Sequence, residues 1–235
     1  MMKTIVITGA SKGIGKAIAE KFAKENFNLA ICARNENELN EVKNELQALN
    51  QNIDVLCIKA DVSNKTERDL FCKKVADHFT NIDILVNNAG TFLPGNTYDE
   101  PEGRLEFLLQ TNLISAYEIT RYFLPNMMQR KSGYIFNISS VAGLQAYANG
   151  GSYSISKFAL TGFSKNLREE VKQFNIRVST IYPGAVLTDS WKGTDLPKER
   201  FIASKDIADI IYTAYQMPYS SLVEDIVIRP TEGDI

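Results

Sequence analysis

A tyrosine four positions ahead of a lysine, Tyr153 and Lys157 in the stretch GGSYSISK (150–157), is the arrangement in this 235-residue chain best suited to acid–base chemistry. The single histidine, His78, lies at the end of a polar helical pattern, far from any other chemical motif, and reads as a solvated side chain. A free phenol titrates near 10 and keeps its proton at neutral pH, so Tyr153 needs tuning to exchange one. On a helix the spacing puts both side chains on one face, with Cβ atoms about 6 Å apart. Bringing a phenol down by about three pKa units requires about 4 kcal/mol, and one cation about 4 Å away at an effective dielectric near 20 supplies that much. Lys157 is sufficient in magnitude. The pair alone proves little, since a chain with 10 tyrosines and this many lysines holds about one such pair by chance.

A second chemical feature stands near the N-terminus. TGASKGIG (8–15) places Gly9, Gly13 and Gly15 between an apolar run, IVIT, and a helical pattern. Glycines there permit a tight turn and a close approach of backbone to phosphate, with a pyrophosphate at the helix N-terminus. The spacing is Gly-x-x-x-Gly-x-Gly rather than the commoner Gly-x-Gly-x-x-Gly, so its position after a first strand carries the reading.

The elements that must position these residues alternate along the chain. KTIVIT, NLAICA, IDVLCIKA, IDILVN, YIFNIS and IRVSTIY read as strands, separated by amphipathic stretches that include long helices over about 101–130 and 151–174. Strands apolar without alternation are buried on both faces, and the strand–helix repetition predicts a doubly wound α/β fold with a parallel sheet. No linker or repeat interrupts the pattern, so residues 1–235 read as a single dinucleotide-binding and catalytic domain. The irregular stretch 184–204, beyond a predicted strand's carboxyl end, is a candidate lid.

Composition narrows the partners. With 44% hydrophobic and 23% charged residues and a net charge of −2, the chain reads as a soluble globular protein without the basic footprint of a nucleic-acid binder. The N-terminus is too short for a secretory signal core, and no apolar run approaches the roughly 18 residues of a membrane span. Cys32, Cys57 and Cys72 lack metal-ligand spacing and read as buried free thiols of a reducing cytoplasm, with no metal site.

TGASKGIG, NNAG at 87–90, Asn112, Ser140 thirteen residues before Tyr153, Lys157 and Pro183-Gly184 together resemble the short-chain dehydrogenase/reductase family, in its order and over nearly the whole chain. Members akin to 3-oxoacyl-carrier-protein reductases or sepiapterin reductases are the nearest in kind. The resemblance implies a Rossmann-type sheet of about seven strands and hydride transfer between a carbonyl and an alcohol. It makes Asn112, Ser140, Tyr153 and Lys157 the catalytic four, Ser140 being chosen over neighbouring Ser139 by its spacing. It assigns cofactor contacts to Gly9, Ser11, Lys12, Gly13, Ile14, Gly15, Arg34, Asp61, Val62, Asn88, Ala89, Gly90, Pro183, Gly184, Val186 and Thr188, besides Tyr153 and Lys157. Asp61 resembles the acid that contacts the adenine.

The cofactor expected is NADP(H) in preference to NAD(H). The end of the second strand, where an acid would bind a ribose 2′-hydroxyl, carries Ala33 followed by Arg34, and Lys12 adds a second positive charge. Phe92, Leu144, Tyr147 and Trp191 are candidates for a substrate pocket. A small-molecule carbonyl or alcohol is the expected partner, turned over as reductase or, alternatively, as a dehydrogenase working in oxidation. A regulator that senses a dinucleotide without turnover would have lost the tyrosine or lysine, and both are present. The family also implies a homo-oligomer, tetramer or dimer, paired through the two long helices that carry Phe158, Leu160 and Phe163.

Overall fold

A computed structural model describes residues 2–191 and 193–234. Seven strands, β1 (Thr4–Thr8), β2 (Asn28–Ala33), β3 (Val55–Lys59), β4 (Ile84–Asn87), β5 (Gly133–Ile138), β6 (Ile176–Pro183) and β7 (Asp225–Ile228), form one sheet in the order 3-2-1-4-5-6-7. Every pairing is parallel, with Thr8 beside Cys32, Asn87 beside Asn137 and Pro183 beside Ile228 at the carboxyl ends. The order reverses direction between β1 and β4, which opens a crevice beyond their carboxyl ends.

Helices α1 (Gly13–Lys24), α2 (Glu36–Leu49) and α7 (Ser204–Gln216) cover one face; α3 (Lys65–His78), α5 (Ser115–Arg130) and α6 (Gly151–Val171) cover the other, and the short α4 (Arg104–Leu109) leads into α5. Ile5 and Ile7 of β1 pack on the first face with Phe22 and Ile211, while Val6 between them packs on the second with Phe71 and Leu85. Burial on both faces is why β1 runs Ile5-Val6-Ile7 without polar alternation. Asn35 Oδ1 accepts from Asn37 N and Glu38 N to start α2, and Asn64 Oδ1 accepts from Glu67 N to start α3.

The helix predicted over 101–130 departs from expectation in the middle. Between α4 and α5 the backbone makes a π turn, Gln110–Ile114, that carries Asn112. Thr111 Oγ1 donates to Phe107 O at 2.9 Å and Ser115 Oγ donates to Thr111 O at 2.6 Å, so side chains take up carbonyls at the widened turn. The helix predicted to 174 becomes a 3-10 turn at Lys172–Phe174.

Burial pushes the Cys32 and Cys72 thiols up to about 12 and the half-buried Cys57 up to about 11, so all three are protonated at neutral pH. Among the described residues no cluster of His, Cys, Asp and Glu could hold a metal ion. No helix there is long and apolar enough to cross a membrane. His78 is at the surface, paired with Asp54 at 2.6 Å rather than left to solvent.

Candidate active site

The glycine loop is tied to the loop after β4. Thr8 Oγ1 accepts from Asn88 N and Ala89 N at 3.1 and 3.0 Å, and Asn88 Nδ2 donates to Thr8 O and Gly9 O, both at 2.9 Å. Gly15 closes the packing: a Cβ there would lie 2.3 Å from Gly9 O and 2.5 Å from Asn88 Nδ2. Helix α1 has no side-chain cap, and its first two residues, Gly13 and Ile14, border the cavity beside the loop.

Two cavities, each of about 350 Å³, run along the carboxyl edge of the sheet and share Ile14, Asn88, Gly90, Thr91 and Thr188. Gly9, Ser11, Lys12, Gly13, Arg34, Asp61, Val62 and Ala89 border the first of these. The second is bordered by Ser140, Tyr153, Lys157, Pro183, Gly184 and Val186. Asp61 Oδ1 accepts from Ser63 N and Ser63 Oγ, and the fully buried Arg68 donates to Val62 O at 2.7 Å, which sets the β3–α3 turn. Gly15 and Asn112 border neither cavity and stand behind their walls.

In the second cavity Tyr153 and Lys157 rise from the first two turns of α6, with Lys157 Nζ 5.8 Å from the phenol ring centroid and donating to Ile138 O at 3.0 Å. Ser140 borders the same cavity as the phenol, its Oγ accepting from Ala142 N at 3.2 Å and donating to Pro183 O at 3.5 Å, while Ser139 Oγ is taken up by Lys157 O and Thr161 Oγ1. Asn112 Oδ1 accepts from Thr91 N at 2.8 Å, and its Nδ2 donates to Thr91 O and Ser156 Oγ. A methyl group on Gly90 would touch both Asn112 Oδ1, at 3.2 Å, and Lys157 Nζ, at 3.5 Å.

The electrostatics differ from the sequence-based expectation. Burial pushes the Tyr153 phenol up to about 12, against a smaller downward pull from the Ser140 hydroxyl, and burial pushes Lys157 down to about 8. Both groups share one poorly solvated pocket, where the charged form of each is disfavoured. Lys157 does not bring the phenol toward neutrality here.

Lys12 is also less free than its place in the loop predicts. Its ammonium is 2.7 Å from Asp189 Oδ2 and 3.9 Å from Glu38 Oε1, and the hydrogen bond to Asp189 raises its pKa. The pair joins the glycine loop to the 184–204 segment, which a backbone bridge between Val186 and Ile202 anchors at both ends. Lys192 of that segment lies outside the described residues.

Phe92, Tyr147 and Trp191 border the second cavity, and Leu144 does not. Sequence reasoning missed Gln145, Arg229 and Asp234, which border it as well. The last two form an ion pair, with Asp234 poised over Gly184. They follow β7, an element without a pattern strong enough to be read from sequence.

The fold and cavities define a Rossmann-type α/β protein with a crevice suited to a dinucleotide and a small substrate. A sequence profile described as short chain dehydrogenase matches residues 3–198, and the chain belongs to that family: it is an oxidoreductase acting on alcohol and carbonyl groups. A sepiapterin reductase of Chlorobaculum tepidum is 33% identical over 243 residues, covering 100% of this chain and 99% of the relative. An alcohol dehydrogenase from the archaeon Thermococcus sibiricus, complexed with 5-hydroxy-NADP, superposes with a TM-score of 0.91 at 28% identity, covering 100% and 99% of the two chains. L-sorbose reductase from Gluconobacter frateurii, complexed with NADPH and L-sorbose, superposes at 0.90 with 30% identity over 97% of this chain and 95% of that one.

Proposed function

We propose that the protein is an NADPH-dependent reductase of small to medium ketones or aldehydes, with residues 1–235 acting as one dinucleotide-binding and catalytic domain. The observation that carries this reading is the Tyr153 phenol beside Ser140 and Lys157 at the wall of a cavity that shares lining residues with the glycine-loop cavity. The residues present fit the nucleotide: Gly9, Gly13 and Gly15 stand where a Cβ would collide with Ala89, Thr188 and the Gly9 carbonyl, the α1 amides would take the pyrophosphate, Asp61 and Val62 would meet the adenine, and Arg34 would meet a ribose 2′-phosphate. NADP(H)-bound relatives support the same assignment. The chemistry the nucleotide supplies when bound is a hydride for the carbonyl carbon.

Tyr153 presents its O–H to the carbonyl oxygen and Ser140 adds a second donor, so developing alkoxide charge meets two oriented hydrogen bonds. A phenol held near 12 is protonated at neutral pH. It still gives its proton to an alkoxide, a base about as strong as hydroxide. In oxidation the same site would use Tyr153 as phenolate, and the direction follows the ratio of reduced to oxidised nucleotide rather than the site. Lys157 as ammonium passes a proton toward the phenolate, and Asn112, abutting it across Gly90, is assigned to hold the linking water. Three free thiols suit a reducing compartment such as the cytoplasm.

The test is NADPH oxidation by the purified protein against a panel of ketones and aldehydes; no consumption with any of them would overturn the reading. With the best substrate, the rate is expected to fall as pH rises through about 8, the depressed value of Lys157, because the ammonium is present below it and lost above it. Lys157→Met is expected to remove that limb along with most turnover, and a limb that survives in the variant counts against the assignment.

The proposed assembly is a homo-oligomer paired through α5 and α6, whose Tyr122, Ile155 and Phe158 are exposed in the single chain. Leu160, expected to pair across the interface, is instead 2% exposed, buried within the chain's own fold. Phe163 packs edge-on to Tyr117 of α5. Light scattering is expected to give a dimer or tetramer, and a 26.3 kDa species alone at micromolar concentration contradicts it.

A further inference from the structure

We propose that Glu100 is a positioning residue for the Tyr153 phenol, acting through the first turn of α6; the proposal rests on the reading of Tyr153 as proton donor. Tyr153 is the third residue of α6, in the turn whose amides have no intrahelical acceptor. Gly150, at the cap position, has no side chain to supply one. The acceptor comes from the loop after β4 instead. Ser152 N donates to Glu100 Oε1 at 3.0 Å and Oε2 at 3.2 Å, and Ser152 Oγ donates to the same carboxylate. A negative charge at this end also opposes the helix dipole favourably.

The same loop grips the region around Tyr153 at further points. Gly95 N donates to Asn149 O at 3.0 Å, Asn149 N donates to Asn96 Oδ1 at 3.2 Å, and the Phe92 ring stands edge-on to the Tyr153 ring, 4.8 Å between centroids. Backbone before the tyrosine and the ring itself are therefore held by one segment. The fit leaves no slack at Gly151, which has φ +34°: a Cβ there would lie 2.3 Å from Glu100 Oε1 and 2.5 Å from Gly95 O. Glu100 borders neither cavity, so it acts through the tyrosine rather than on nucleotide or substrate. Lys157, one turn deeper, keeps its own anchor at Ile138 O. Loss of the Glu100 carboxylate frees the first turn to fray and shifts the phenol against Ser140, and a displacement of about 1 Å costs up to about 100-fold in rate.

The experiment compares Glu100→Ala, Glu100→Gln and Tyr153→Phe in NADPH-dependent carbonyl reduction, with NADPH-binding stoichiometry measured by fluorescence. Glu100→Ala is expected to lower kcat by about 10- to 100-fold, with nucleotide KM and stoichiometry unchanged. Glu100→Gln, which keeps one acceptor oxygen, should recover part of that loss. Wild-type kcat in Glu100→Ala beside an inactive Tyr153→Phe overturns the proposal, as does a loss of stoichiometry that matches the loss of kcat. An active Tyr153→Phe instead overturns the proton-donor reading and this proposal with it. Should Glu100→Ala not fold, Ser152→Ala decides: it deletes one of the three bonds and should lower kcat by about three-fold at full stoichiometry, and an unchanged kcat sinks the idea.

Discussion

Tyr153→Phe is expected to lower kcat for carbonyl reduction by about three orders of magnitude, within the range that a positioned general acid contributes. The change deletes one hydroxyl, and leaves the ring against Phe92 and the α6 backbone against Glu100. Fold and NADPH affinity should therefore stay close to those of the unaltered protein. The remaining donor, Ser140, can polarise the carbonyl but has no relay through Lys157 to replace a proton. Retention of more than about a tenth of the rate would show that the proton comes from elsewhere.

The second large effect is expected in the nucleotide. On one substrate, kcat/KM should favour NADPH over NADH by about ten- to a hundred-fold, the yield of one charge-assisted contact of about 1.5 to 3 kcal/mol. Arg34, whose planar guanidinium is at the rim of the cavity, would supply that contact. Sequence alone credits Lys12 with a comparable share, but Asp189 and Glu38 already take up its charge. The double change Ala33→Asp, Arg34→Ser places a carboxylate where a ribose 2′-hydroxyl would sit and removes the guanidinium, so preference should turn toward NADH. Equal kcat/KM values in the starting protein, or a double variant whose preference does not move, would sink the assignment.

The most legible parts of the site were those encoded locally. Gly15 is called for by a strand-to-helix junction, and the structure shows the Gly9 carbonyl and Asn88 amide in the space a side chain would need. Tyr153 and Lys157 share a helix face because four residues make about one turn. The π turn at Asn112 was not legible, since Gln110–Ile114 has the composition of ordinary helix and the widened turn appears only in the backbone path. The helix α7 and strand β7 escaped the pattern reading as well; β7 is an edge strand whose half-exposed residues lack the continuous apolar run of β1 or β5.

By itself the amino-acid sequence determined the order of strands and helices through β6, the parallel doubly wound class and the glycine loop between β1 and α1. These follow from burial periodicity and from spacings of a few residues. Only the tertiary structure decided how the chemistry is tuned: a phenol held up rather than brought down, a Lys12 charge already shared, a cavity wall from Arg229 and Asp234, and a carboxylate at Glu100 bonded to a backbone amide 52 residues away. Desolvation depends on everything packed around a group, and contacts between distant segments depend on the path of the whole sheet, so neither is carried by any local spacing.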